Sequence, residues 1–304
     1  MLLEDTSCNI SVPDIYIQQI PQIVPTSAIY IMALEVTSMM IQTPGANIAV
    51  PTPLSPHEVS MELPAIPPIL DATQIHGLLD PRSISTDFDK LRFEAAAHEQ
   101  LTLRNEQSNK TALRAEQPSS TLLISSPYNI PGHYLDLSSQ HLTTASRLLA
   151  LALTVLKPAT PAYATASYTQ ALNFDSVLTA LRDLIARENF TWRETSFYVV
   201  VFRSQLKEGI DEEYLYRLDA ESHREACESG GLLKYWFGKA DGERRNLATC
   251  FWHSREDAYK GGLGPWHRKA RAAGRELYES IVFSTYRFTV ADGAEEYKFE
   301  EWVK

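Results

Sequence analysis

The sequence predicts an α+β fold: a ferredoxin-like split βαβ sheet over residues 191–304, a loop-and-helix cover over 119–190, and a Pro-rich acidic arm over 1–118. Three observations predict it. The last third alternates strand-like and helical stretches in the order β-α-β-β-α-β, that of a split βαβ unit whose four strands make one antiparallel sheet. Residues 1–118 hold 12 of the 17 prolines but only two of the 13 glycines. All five tryptophans lie at or after Trp192, so the largest core anchors belong to the back of the chain.

Charge follows the same division. Residues 1–118 carry 6 Lys/Arg and 14 Asp/Glu, a net of −8, and the remaining 186 carry 22 and 24, a net of −2. The body is near neutral, and no cluster of Lys/Arg replaces phosphate counterions, so nucleic acid is not an expected partner. The three cysteines, Cys8, Cys227 and Cys250, are odd in number and scattered. They make no disulfide framework and suit a reducing, cytoplasmic setting. The most apolar early stretch, Ala28 to Ile41, is too short to span a bilayer and contains Glu35. No basic n-region precedes it, so neither a signal peptide nor a membrane anchor is expected.

Pro51, Pro53, Pro56, Pro64, Pro67 and Pro68 allow no helix or central strand through the arm. Its apolar residues show no period, so the arm reads as disordered. Lys90 to Ala97 are helix formers with a thin apolar stripe, which predicts a solvated helix between Asp87 and Ala115. Order is expected to begin near Thr121. A turn-rich loop, Tyr128 to Tyr134, carries three aromatic rings. The nearly all-apolar run Ser146 to Leu156 predicts a helix covered on several sides and stopped by Pro158. Phe174 to Arg187 carries one stripe of Val177, Leu178, Leu181, Leu184 and Ile185, with Asn173 or Asp175 as cap.

The core module opens with the strand Phe197 to Leu206. A helix follows from Glu212 to Glu228, with Leu215, Leu218, Ser222 and Ala226 inside and Gly230-Gly231 ending it. Leu232 to Phe237 and Leu247 to Trp252 read as antiparallel strands joined through Asp241-Gly242. Ser254 to Asp257 fits a capping box. Pro265 starts the next helix, in which Trp266, Ala270, Ala273 and Leu277 recur at helical spacing. The last strand begins at Ile281, and the acidic, aromatic tail from Asp292 is expected to lie across the body. Leu247, Thr249 and Phe251 point one way and Ala248, Cys250 and Trp252 the other, so both sheet faces want burial. A second copy of the sheet is the economical cover, which predicts a homodimer.

At these residues the chain resembles the dimeric α/β-barrel superfamily of the antibiotic-biosynthesis-monooxygenase type. The features are a helix ending Gly-Gly-Leu-Leu before an aromatic strand, the run Phe251-Trp-His-Ser-Arg-Glu-Asp-Ala258, and the pair Trp266-His267. Ser125 to His133, Gly230 to Lys239 and Phe251 to Ala270 are more closely similar to a fungal protein family, number 0643 in the series of uncharacterised families. The resemblance covers Leu122 to Lys304 and leaves 1–118 outside. It implies a dimeric barrel with a ligand between sheet and helices. Barrel relatives that degrade haem use an Asn on the first strand, which is absent here. Cofactor-free relatives oxygenate polycyclic phenols.

Candidate catalytic residues are His267, His253 and Arg203, with Trp252, Trp266, Tyr235, Tyr198 and Glu221 as substrate-binding candidates. His267 near a helix N-terminus is expected to stay neutral and suited to proton transfer, unless Trp266 is a core anchor and His267 simply exposed beside it. His253 ends a strand at a barrel mouth, or only begins the next cap. Arg203 in an apolar strand needs a partner, which Glu221 or Asp219 can supply. Asp219 and His223 share a helical face at i, i+4, a weak metal pair, and Cys250 with His253 is too sparse for zinc. The expectation is no metal and no organic cofactor. No phosphate loop and no Gly-x-Ser-x-Gly elbow is present. Two functions follow: a small-molecule enzyme oxygenating, decarboxylating or cyclising an aromatic or polyketide-like metabolite, or a non-catalytic binding or scaffold protein.

Overall fold

The computed structural model describes residues 78–104 and 119–302. The disordered arm expected over 1–77 and 105–118 and the apolar stretch at 28–41 lie outside these residues. In chain order, the front carries β1 (Leu78–Leu79), α1 (Phe88–Phe93) and a 3-10 stretch, Ala96–Arg104. The cover follows with β2 (Ser119–Ser120), β3 (Leu122–Leu123), β4 (Leu135–Asp136), α2 (Thr144–Ala152), α3 (Tyr168–Ala171) and α4 (Phe174–Arg187). The module is β5 (Thr195–Leu206), α5 (Glu212–Glu228), β6 (Leu232–Phe237), β7 (Arg245–Trp252), α6 (Arg255–Gly261), α7 (Pro265–Leu277), β8 (Tyr278–Val290) and β9 (Tyr297–Glu301).

The main sheet is antiparallel throughout, in the order β6-β7-β5-β8-β9. The first four of these strands have the split βαβ order that the sequence predicts. The tail supplies a fifth, with Phe299 opposite Phe288 and Tyr297 opposite Val290. The aromatic alternation of Tyr297 and Phe299 suits a pleated edge strand.

Strand alternation sends β5 into two cores. Phe197, Val199 and Val201 pack with Leu149 of α2 and Phe174 and Leu181 of α4. Tyr198, Val200 and Phe202 pack with Tyr235, Trp252 and Ala226. On α5, Leu215 and Leu218 also meet Ala270, Ala273 and Leu277 of α7. The face expected to meet a second copy is therefore covered by the chain's own α2 and α4. The open-face argument for a homodimer loses its premise; within this chain the described sheet has β6 and β9 at its edges. One exposed apolar position is left on β8, Val282 at 59%.

Residues 78–104, read from sequence as part of the arm, are packed onto the body. Gln100 is fully buried; its amide donates to the carbonyls of Leu79 and Leu122, and its Oε1 accepts from the backbone N–H of Ile124. Arg92 is also fully buried, its guanidinium 5.2 Å from the Phe93 ring and 5.3 Å from Phe237. Its backbone carbonyl accepts from the Trp236 indole at 3.0 Å. The helix here is one short piece, Phe88–Phe93, capped by Asp87. The thin stripe that looked solvated works because Arg92 lays its guanidinium over aromatic rings. Asn173 precedes α4 without a side-chain cap bond. Its amide instead ties the preceding linker, accepting from the Lys157 N–H and donating to the Val155 carbonyl.

Candidate functional site

The densest polar chemistry lies on the inner face of α5. Asp219 and His223, one helical turn apart, both point inward and are 3% and 4% exposed. The hydroxyl of Tyr128 donates to Oδ2 of Asp219, and that of Tyr235 donates to Oδ1 at 2.7 Å. His133 stacks on His223 with centroids 5.0 Å apart and planes within 10°. Their Nδ1 atoms are 2.8 Å apart. One nitrogen must carry the proton the other accepts, so the two imidazoles hold opposite tautomers. Burial pushes His133 down to about 4, and it pushes His223 well below the ordinary imidazole range. Burial likewise raises the Tyr235 phenol and the Cys250 thiol.

Tyr128 belongs to the turn-rich loop. Its ring sits 5.4 Å from Phe88, 5.9 Å from Tyr216 and 5.8 Å from Phe237. Asn129 fastens this roof: its amide donates to the carbonyls of Pro81, Ile84 and Ser85 at 2.9–3.2 Å. Of the sequence-predicted residues, the structure brings Tyr235 and the helical pair Asp219 and His223 here, with Tyr198 and Trp252 in the same apolar cluster. Tyr128 and His133 stood inside the motif Ser125 to His133, yet nothing in that run revealed that they meet α5.

Trp266 and His267 lie elsewhere, at the outer side of α5. His267 is buried, not exposed, and its Nδ1 is 2.9 Å from Oε2 of Glu225. The same carboxylate accepts from the backbone N–H groups of Trp266 and His267, so Glu225 caps α7. A Cβ at Gly264 would stand 2.1 Å from Oε2 of Glu225, which is why glycine precedes Pro265. Burial holds His267 below its ordinary value, against the pull of Glu225. Trp266 is half-buried beside an open groove of about 520 Å³ with Arg224 and Lys260 in its wall, and Lys269 sits 3.8 Å over its ring.

Arg203 does not pair with Asp219 or Glu221. Its guanidinium donates to the carbonyls of Ala164 and Ala166, both at 2.5 Å, and so braces the cover. The strand period puts it on the face opposite α5. Glu221 is bonded to Arg224, its neighbour on α5. Tyr198 is buried edge-on to Trp302 at 5.1 Å. Trp252 is fully buried with its indole N–H unpaired among the described residues.

His253 follows β7 and meets the cover. Its Nδ1 is 2.6 Å from Oγ of Ser146. Close by, Nε2 of His141 is 2.7 Å from Oδ1 of Asp257. His141 and Asp257 are 116 residues apart in sequence, so spacing never joined them.

The sheet and its buried site define an α+β protein whose split βαβ module is roofed by its own front segments. The chain belongs to the PB2B2.08-like family, whose model matches residues 124–301. A relative, the UPF0643 protein PB2B2.08 of Schizosaccharomyces pombe, is 36% identical over 183 residues, covering 58% of this chain and 82% of that protein. Among solved structures, Rv0793 from Mycobacterium tuberculosis shares 15% identity over 30% of this chain and 92% of its own, with a TM-score of 0.27. A Chloroflexus aurantiacus protein described as a "putative Antibiotic biosynthesis monooxygenase" shares 19% identity over 36% of this chain and 94% of its own, with a TM-score of 0.24.

Proposed function

We propose that the chain is a small-molecule enzyme acting on an aromatic or polyketide-like phenol by acid–base chemistry, without an organic cofactor. The observation that carries this is the Asp219 carboxylate, 3% exposed and held between two phenol hydroxyls in a cage of aromatic rings. One of those phenols, Tyr128, lies on a loop. A phenolic substrate is read as taking that hydroxyl's place, with Asp219 accepting its proton and the neutral His133–His223 pair relaying it. Proton removal is the first step shared by oxygenation and cyclisation of such a substrate. Concentrated titration shifts in one cluster support a functional reading.

The test is a panel of phenolic and 1,3-diketone metabolites offered to the full chain, with oxygen uptake and substrate loss as readouts. Turnover of at least one compound, abolished in Asp219→Asn at unchanged circular dichroism, is the expected result. A specific observation favours the second reading, a non-catalytic binding or scaffold protein: Tyr198, Tyr235 and Trp252 are all at most 2% exposed in a ring-filled interior. If no panel member binds or is consumed, that reading replaces the first.

A further inference from the structure

A separate constellation sits where the cover meets the module, away from Asp219. His141 precedes α2, His253 follows β7, and Asp257 lies in the first turn of α6. One ligand atom from each lies within 4.8 Å of the other two. An ion bound at about 2.0–2.2 Å to nitrogen and carboxylate oxygen holds its ligands roughly 3–3.5 Å apart. The 2.7 Å separation of His141 Nε2 and Asp257 Oδ1 is already close to that spacing. The His141 and His253 rings stand edge to face at 5.3 Å, so a modest swing of the half-exposed His141 closes the set.

The surroundings are those of built ligands. Asp257 is 2% exposed, and its Oδ2 accepts from the Ser254 hydroxyl at 2.5 Å, leaving Oδ1 for the ion. Ser146 engages Nδ1 of His253 and is itself 2.9 Å from the Thr143 hydroxyl. That leaves Nε2 of His253 to ligate, oriented through its other nitrogen as metal-bound imidazoles are. Gly231 gives Asp257 its place, because a Cβ there would stand 2.3 Å from the Asp257 Cβ. His141 is 46% exposed in its side chain, which keeps the outer coordination positions open to water.

We propose that His141, His253 and Asp257 bind one divalent first-row transition ion of the zinc type, with at least one position open to solvent. Two nitrogens and one carboxylate suit zinc, cobalt or ferrous iron, whereas calcium and magnesium take oxygen ligands. The ion would also staple the cover to the module, since His141 belongs to the first and the other two ligands to the second.

The test uses the full chain stripped with chelator and titrated with Co²⁺ alone. One equivalent binding at micromolar or better affinity is expected, with visible bands that Zn²⁺ abolishes. His141→Gln keeps a hydrogen bond to Asp257 but is a poor ligand, so a loss of about 100-fold in affinity is expected at an unchanged fold. His253→Ala is expected to match it, and Ser146→Ala to cost about 10-fold through the lost orientation. Absence of stoichiometric binding overturns the site, as does binding that survives both histidine variants unchanged.

Discussion

Acid should open this protein through the His133–His223 pair before it protonates most carboxylates. The perturbation is a fall from about pH 7.5 to about pH 4.5. His133 has an ordinary value of 6.5 and a folded value of about 4, because burial disfavours its cation. The sign follows. Between those values the unfolded chain takes up a proton that the folded chain refuses, so stability is fully present above pH 6.5 and falls as the pH drops towards 4. At about pH 4.5 the loss from His133 alone is about 2.5 kcal/mol, at 1.36 kcal/mol per unit. His223 shifts in the same direction and adds to it. Glu221 and Arg224 face His133 with opposite effects, Glu221 raising its value and Arg224 lowering it. His223 feels His133 and His267, and Asp219 sits one turn before it on α5. The assay is urea unfolding at four pH values for the wild type and a His133→Gln/His223→Gln variant, with imidazole resonances followed by NMR. The variant should lose much of the slope between pH 6.5 and 4.5. A His133 ring that titrates near 6.5 in the folded protein, or a slope the variant leaves intact, refutes the reasoning.

Three further outcomes are expected. Lys234 on β6 is 2% exposed and burial pulls its ammonium down to about 8 from 10.5; stability should therefore rise as the pH climbs from about 8 towards 10.5, and Lys234→Met should stabilise by up to about 3 kcal/mol at neutral pH, measured by thermal melting. Gln100→Ala strands two carbonyls and one N–H in the interior and should cost about 2–4 kcal/mol; proteolysis of residues 78–104 that speeds up with no loss of overall stability would show that the segment is not part of the body. The homodimer is now carried only by the one exposed apolar side chain on β8, Val282 at 59%, so light scattering should find a dimer that Val282→Asp dissociates, and a wild-type monomer ends that proposal.

Local chemistry was legible in the chain. The helix from Glu212 to Glu228 and the strand from Leu232 to Phe237 are where the sequence places them, because the Asp211 cap, a single apolar stripe and Gly230 with φ of 89° are all local signals. Ser254 and Pro265 began their helices for the same reason. Arg203 was misread because an arginine's partners were sought among charges. It found backbone carbonyls in the 164–166 loop, and carbonyls leave no mark in a sequence. His267 was read as a neutral imidazole suited to proton transfer, or else as the exposed neighbour of a core Trp266; the second reading fails, since His267 is buried and Trp266 only half-buried, because Glu225, 42 positions earlier, draws the imidazole inward.

What the sequence alone determined is the order of strands and helices, their caps, and the two-sided apolarity of the sheet. Each depends on the period and turn chemistry of neighbouring residues. What only the tertiary structure decided is which surface satisfies that apolarity and which polar groups meet beneath it. Two-sided burial can be met by a second copy or by the chain's own helices, and the choice rests on packing between segments far apart in sequence. Asp219 with Tyr128, His253 with Ser146, and Asp257 with His141 are joined in the same way. A hydrogen bond across some 90 or more residues depends on how the chain folds back, which no local pattern specifies.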